Sequence, residues 1–159
     1  KDPARIAGMS DPVAALTKVA NTNSKFASRG DDSGTDSKEK SLWEGTGVNQ
    51  FAYSGGWYRE TGSGMGTTLN TAVGMNAYTL SDRASWITHS NKGDFKIMVE
   101  GDKRLFNPYG VMLVDVARCP NVSSVAGKAF IDWLLSKKGQ KTIASYRIAG
   151  KQLFFPNAK

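Results

Sequence analysis

The chain has 159 residues, 40% of them hydrophobic and 22% charged, an ordinary globular composition with enough apolar material for one domain's core or a little more. No apolar run approaches the roughly 20 residues of a membrane-crossing helix, and the single cysteine, Cys119, excludes an internal disulfide and a multi-cysteine metal site. The net charge of +7 lies at one end: residues 1–100 balance 11 basic against 11 acidic side chains, whereas residues 101–159 hold 10 basic and 3 acidic.

The basic excess includes Lys128, Lys137, Lys138 and Lys141, on amphipathic stretches with no recognised nucleic-acid motif. A solvated face is expected there, and no nucleic-acid partner. His89, the only histidine, lies in the polar run Thr88–Gly93 and reads as a solvated loop residue. The chain opens Lys1-Asp2-Pro3 with neither a start methionine nor a signal peptide, as expected of a secreted protein whose leader is removed or of an internal piece.

Lys1 to Gly8 reads as extended. Ser10-Asp11-Pro12 is a helix start, and Val13, Leu16, Val19 and Ala20 recur at helical spacing until Asn21-Thr22-Asn23. Lys25-Phe26-Ala27 suits the end of a strand, and Asp36 to Trp43 predicts a polar helix docked only by Leu42 and Trp43. Between them runs Ser28-Arg29-Gly30-Asp31-Asp32-Ser33-Gly34-Thr35. Glycine lets backbone N–H groups approach a ligand, and a helix start leaves N–H donors unpaired at a positive dipole end. Arg29 adds a permanently charged fork of donors suited to tetrahedral oxyanions. The same residues also suit a plain surface cap, with Asp32 or Ser33 capping the helix and Arg29 paired to Asp31 or Asp32.

A second glycine-rich turn, Trp57 to Gly66, leads into a helix on which Met65, Leu69 and Ala72 share a face and Gly74 is the expected C-cap. Ala77–Leu80 predicts a short strand, and Ser81-Asp82-Arg83 a third strand-to-helix junction. Three such junctions in about 50 residues indicate an α/β domain, in which ligands sit outside the carboxyl ends of the strands. Phe95–Val99 predicts a strand, and the apolar run Val111–Val114 a buried one. Ala126, Phe130, Trp133 and Leu134 share a helix face, Ile143 to Arg147 suggests another helix, and Leu153–Pro156 is expected to dock on a sheet.

No nucleophile is paired with a base, so an enzyme is not expected. Asp31 and Asp32 are adjacent, a poor geometry for sharing a metal, and the phosphate-loop signature Gly-x-x-x-x-Gly-Lys-Ser/Thr is absent. What remains is a donor set: Arg29, Ser33, Thr35, Thr61, Ser63 and the N–H groups at several glycines. It suits binding an oxyanion.

Ser28–Thr35 with Lys38-Glu39 and Leu42-Trp43 resembles the second-lobe signature of the periplasmic tungstate-binding proteins of ABC importers. The resemblance continues through Trp57-Tyr58, Glu60-Thr61-Gly62, Gly64-Met65-Gly66, Leu69, Ala77–Leu80, Asp82-Arg83 and Leu153–Ala158. It implies a type II periplasmic-binding-protein fold, two α/β lobes closing on a tetrahedral dianion. Residues 1–102 would form one complete ligand-binding lobe, and residues 103–159 a return segment with C-terminal helices completing the other. It implies ligand contacts from Arg29, Ser33, Gly34 and Thr35, with Thr61, Gly64 and Met65 as a second group. Asp82 and Arg83 would lie behind them, orienting Arg29 or holding the lobe together. The ligand would be tungstate or a molybdate-like oxyanion, bound as an anion rather than as a metal cation and without a cofactor. A related solute-binding protein for phosphate, sulfate or another small anion is the alternative.

The implied partner is the membrane permease of an ABC transporter, and the implied location periplasmic or extracytoplasmic. Two departures stand out. Asp36 occupies the position where the family usually has histidine. The chain also starts where family members cross into their second lobe, so a fragment is expected. Weak ligand binding by the chain alone is then expected, with self-association or a missing N-terminal segment covering the apolar face near Phe130 and Trp133.

Overall fold

Phe26, Ala27 and Ser28 form β1 (Phe26–Ser28), buried along its whole length, in a computed structural model that describes residues 1–158. β2 (Tyr58–Glu60) runs parallel to it, pairing Phe26 with Tyr58, Ala27 with Arg59 and Ser28 with Glu60. On the other side of β1, Tyr78 makes a parallel bridge to Phe26, receiving the Ala27 N–H at 2.8 Å and donating to the Lys25 carbonyl at 2.8 Å. The strand expected over Ala77–Leu80 is reduced to that bridge, and the one over Phe95–Val99 to a bridge between Val99 and Met9. Parallel pairing aligns the carboxyl ends, so the segment leaving each strand emerges on one edge.

α1 (Pro12–Asn21) starts as the sequence indicates, with the Asp11 carboxylate accepting the Val13 and Ala14 N–H groups and Pro12 in the first turn. Lys1–Gly8 is turned rather than extended, because the Asp2 carboxylate accepts the N–H groups of Ile6 and Ala7. α2 (Gly34–Glu44) and α3 (Met65–Met75) follow β1 and β2. α3 buries Met65, Thr68, Leu69 and Ala72, and Asn76 in left-handed backbone ends it, so Gly74 stays inside the helix. α4 (Arg83–Thr88) is capped by Asp82.

The core between these elements is aromatic. Phe26, Trp43 and Tyr58 are buried to 2% exposure or less. Phe26 meets Trp43 edge-on at 5.2 Å and stacks on Tyr58 at 6.0 Å. Such pairs contribute about 0.5–1.5 kcal/mol each beyond burial. They bind α2 to both strands and so fix where α2 begins.

α2 differs from the helix the sequence suggests. Asp36 and Glu39 are buried on the same face as Leu42 and Trp43, because positions three and four apart line up on a helix. Hydropathy misses this, since each carboxylate is buried against partners rather than against hydrocarbon.

Residues from 108 onward form a separate unit. It contains α5 (Ser124–Leu135), α6 (Lys137–Ser145), and a hairpin of β3 (Arg147–Ile148) and β4 (Lys151–Gln152). Ala149 and Gly150, both at positive φ, make its two-residue turn. α6 therefore stops at Ser145 instead of reaching Arg147. Val111–Val114 is not the buried strand expected of an apolar run: its residues are 44–85% exposed. A buried strand needs ladder partners, and among the described residues none pairs with this segment. It instead lines a shallow apolar groove with Val122, Phe130 and Ile131. Phe130 and Trp133 stack at 6.1 Å and remain exposed. Leu153 is buried, yet among the described residues the segment after β4 joins no sheet, and Lys128, Lys137, Lys138 and Lys141 face solvent.

Glu39 carries a testable consequence. The Tyr58 hydroxyl donates to Glu39 Oε1 at 2.9 Å, but burial dominates and raises the carboxyl to about 7 from an ordinary 4.5. The folded chain thus keeps a proton that the unfolded chain releases. Stability contributed by that proton is complete below about pH 4.5 and is lost as pH rises to about 7, a loss on the order of 3 kcal/mol. Glu39→Gln is expected to be more stable than the parent at pH 8 and similar to it at pH 4. Urea denaturation at the two pH values checks this.

Candidate functional site

The parallel pairing of β1 and β2 continues past the strand ends. Thr61 N–H donates to the Ser28 carbonyl at 2.9 Å, and Ser63 N–H to the Arg29 carbonyl at 3.2 Å. The Thr61 hydroxyl donates to that same carbonyl at 3.3 Å. The two glycine-rich loops are therefore one surface, with Arg29, Ser33, Gly34 and Thr35 on one side and Thr61, Gly64 and Met65 on the other.

Gly30 permits this contact. Its φ is +59°, and a Cβ there would stand 2.9 Å from Glu60 Cβ, so both backbone conformation and space require glycine. Gly34, Gly64 and Gly66 differ. None lies at positive φ, and each has open space where a Cβ would go. Nothing inside the chain demands glycine at these three positions, all at the starts of α2 and α3.

Carboxylates organise the first loop. Asp36, with no exposed surface, accepts the N–H groups of Gly30 and Asp32, each at 3.1 Å. Lys40 balances it at 2.7 Å and Asp32 at 3.0 Å, and Asp36 foremost raises the lysine's pKa above its usual range. Asp31 takes Arg29 Nη2 at 2.5 Å and the Ser33 N–H at 3.3 Å. The Ser33 side chain first, then Arg29 and the Ser33 N–H, hold its carboxyl below the ordinary range although partial desolvation opposes them. Ser33 caps α2 by accepting the Asp36 N–H at 3.3 Å.

Three backbone donors of the expected cradle, those of Gly30, Asp32 and Ser33, are thus occupied from within the chain. Others are open. Among the described residues the N–H groups of Gly34 and Thr35 have no acceptor, and Arg29 Nε is buried without one. At the start of α3 the N–H groups of Met65, Gly66 and Thr67 are likewise open, since Gly64 offers no side-chain cap. Met65 buries its side chain, leaving only its N–H on the rim. The Thr61 hydroxyl also pairs with Thr68 Oγ1 at 2.8 Å, so it braces the second loop.

Asp82 and Arg83 stand apart from this network. Asp82 caps α4 through the Ser85 N–H at 2.8 Å, and Arg83 pairs with Glu100 at 2.6 Å. The contact that orients Arg29 comes from Asp31. Sequence reasoning did not assign Asp36 its place in the loop, although two local signals point to it. Ser33 and Asp36 stand at capping-box spacing, and Lys40 follows Asp36 by four positions.

Two glycine substitutions separate structural from ligand-facing positions. Gly30→Ala is expected to lower stability by about 1–3 kcal/mol through strain and contact with Glu60. Gly34→Ala is expected to leave stability unchanged or raise it by up to about 1 kcal/mol. Urea melts of the two variants check the contrast.

The profile of the PBP superfamily domain matches residues 1–138. The tungstate-binding protein TupA of Peptoclostridium acidaminophilum is 41% identical over 150 residues, covering 93% of this chain and 51% of that protein. The chain thus spans about half the length of this relative. Among solved structures, the tungstate-binding protein TupA from Desulfovibrio alaskensis G20 superposes with a TM-score of 0.76 at 41% identity, over 99% of this chain and 64% of that one. The tungstate ABC transporter structure from Geobacter sulfurreducens gives a TM-score of 0.79 at 38% identity, over 91% and 60%.

Proposed function

This chain belongs to the PBP superfamily and has the periplasmic-binding-protein fold, and from that premise we propose that it is the substrate-binding component of an ABC importer with tungstate as its ligand. One observation carries the reading. Two hydrogen-bonded loops at the carboxyl ends of parallel strands present Arg29 and the open N–H groups of two helix starts on one rim.

Each helix start carries roughly half a positive charge, and Arg29 carries a full one. The open N–H groups of Gly34, Thr35 and Met65 donate to ligand oxygens, and Arg29 supplies the counter-charge. The Ser33 hydroxyl and Thr61 shape the loops that present them. Glycine at 34, 64 and 66 leaves room for an oxygen to reach the backbone. A rim of donors favours an oxyanion that carries no proton, because a bound proton would face N–H groups with nothing to accept it. The residues from 1 to about 102 act as the ligand lobe and those after it as part of the other lobe. The protein binds without turnover, works outside the cytoplasm and hands its anion to a membrane permease, in keeping with the tungstate-binding names of its relatives.

Titration with sodium tungstate, followed by amide chemical shifts, is expected to move Arg29, Gly34, Thr35 and Met65 selectively. Arg29→Ala is expected to weaken binding by about 10- to 100-fold, the worth of a charged hydrogen bond. Gly34→Ala is expected to weaken it while the fold is retained. Molybdate, sulfate and phosphate as competitors rank the anions. Shifts confined to surface lysines, unchanged by Arg29→Ala, would remove this reading.

A further inference from the structure

The loop that presents Arg29 already holds an anion of the chain's own. Arg29 and Lys40 face Asp31, Asp32 and Asp36, so the carboxylates outnumber the cations in a loop read as an anion site. Two of the three are committed elsewhere: Asp36 is buried on the Gly30 and Asp32 N–H groups, and Lys40 pairs with both Asp36 and Asp32. Asp31 alone sits on the arginine. Its two oxygens bridge Arg29 Nη2 and the Ser33 N–H, a guanidinium and a backbone donor beside a helix start. A bound oxyanion would use the same combination.

The grip is also partial. Asp31 engages one nitrogen of the guanidinium rather than the two of a fork, and Arg29 Nε is left buried without an acceptor. A tetrahedral dianion can engage two guanidinium N–H groups at once and brings twice the charge. The two side chains are 17% and 20% exposed, so the carboxylate has a path to solvent once it lets go.

We propose that Asp31 is a built-in competitor for the ligand: its carboxylate holds Arg29 in the empty protein and is displaced when an oxyanion binds. This rests on the oxyanion reading above and adds an affinity threshold to it. Every ligand must first break the Asp31–Arg29 pair. A monoanion only exchanges one single charge for another at the guanidinium, whereas a dianion gains. That common cost lowers both affinities by the same factor, so in the parent chain the more strongly attracted dianion binds measurably where a monoanion of the same shape does not.

The test compares tungstate with perrhenate, a tetrahedral monoanion, by amide-shift titration of the full chain and its Asp31→Asn variant. Asparagine keeps an oxygen for the Ser33 N–H while removing the charge. The variant is expected to bind both anions more tightly, by about tenfold or more and by similar factors, bringing perrhenate into measurable range. Weaker tungstate binding by the variant would instead make Asp31 a residue that positions Arg29, and would overturn the proposal while leaving the oxyanion reading intact. Failure of both forms to bind either anion overturns both. A second measurement needs no variant. The Asp31 side-chain carboxyl, followed by carbon NMR, is expected to titrate below the ordinary range in the free chain and to return to it in saturating tungstate. No movement on saturation overturns the displacement.

Discussion

The rest of the first unit depends on the parallel register of β1 and β2. Ser28 opposite Glu60 is the last ladder pair, and the same spacing carries the Thr61 and Ser63 N–H groups onto the carbonyls of Ser28 and Arg29. A shift of one residue would turn every side chain of β2 to the opposite face. Tyr58 would leave the stack with Phe26, and the second loop would lose its hold on the first. The aromatic core therefore does more than stabilise: it holds two helix starts against one arginine.

Around that frame the chain manages an excess of negative charge, which is buried at Asp36 and Glu39 and exposed at Asp32. Three carboxylates in the Arg29 loop are each matched to particular donors: Asp36 to two backbone N–H groups and Lys40, Asp32 to Lys40, Asp31 to Arg29. Burying a carboxylate costs several kcal/mol unless such partners are supplied. Glu39, one helical turn beyond Asp36, receives the Tyr58 hydroxyl but no cation, and burial raises its carboxyl to about 7. The Ser28 hydroxyl faces the same carboxyl without an aligned hydrogen bond. The loop thus rests on a polar floor rather than on hydrocarbon.

The two units use similar apolar content differently. In the first, Val19, Phe26, Trp43 and Tyr58 lose nearly all contact with solvent. In the second, Met112, Phe130 and Trp133 stay exposed, and α5 buries none of its residues. Apolar spacing on α5 is as regular as on α3. Regular spacing states which face would be buried, while burial itself requires a surface to meet it.

Much of the fold was legible in the residues. Asp11-Pro12, Ser33 and Asp82 each cap a helix as their types indicate, and glycine-rich turns after short apolar triplets marked the strand-to-helix junctions. The resemblance of those junctions to oxyanion-binding proteins identified the family. Partner choice was not legible. Sequence admitted Asp31 or Asp32 as the partner of Arg29, left the orientation of Asp36 open, and left Asp82 and Arg83 either to orient Arg29 or to hold the lobe together, where the fold gives them to Ser85 and Glu100. It also read Val111–Val114 as a buried strand. Local residue types determine caps, turns and helix faces because those depend on neighbours within about four positions. Which carboxylate meets which donor, and whether an apolar run is covered, depends on segments brought together from far along the chain, and only the tertiary structure decided it.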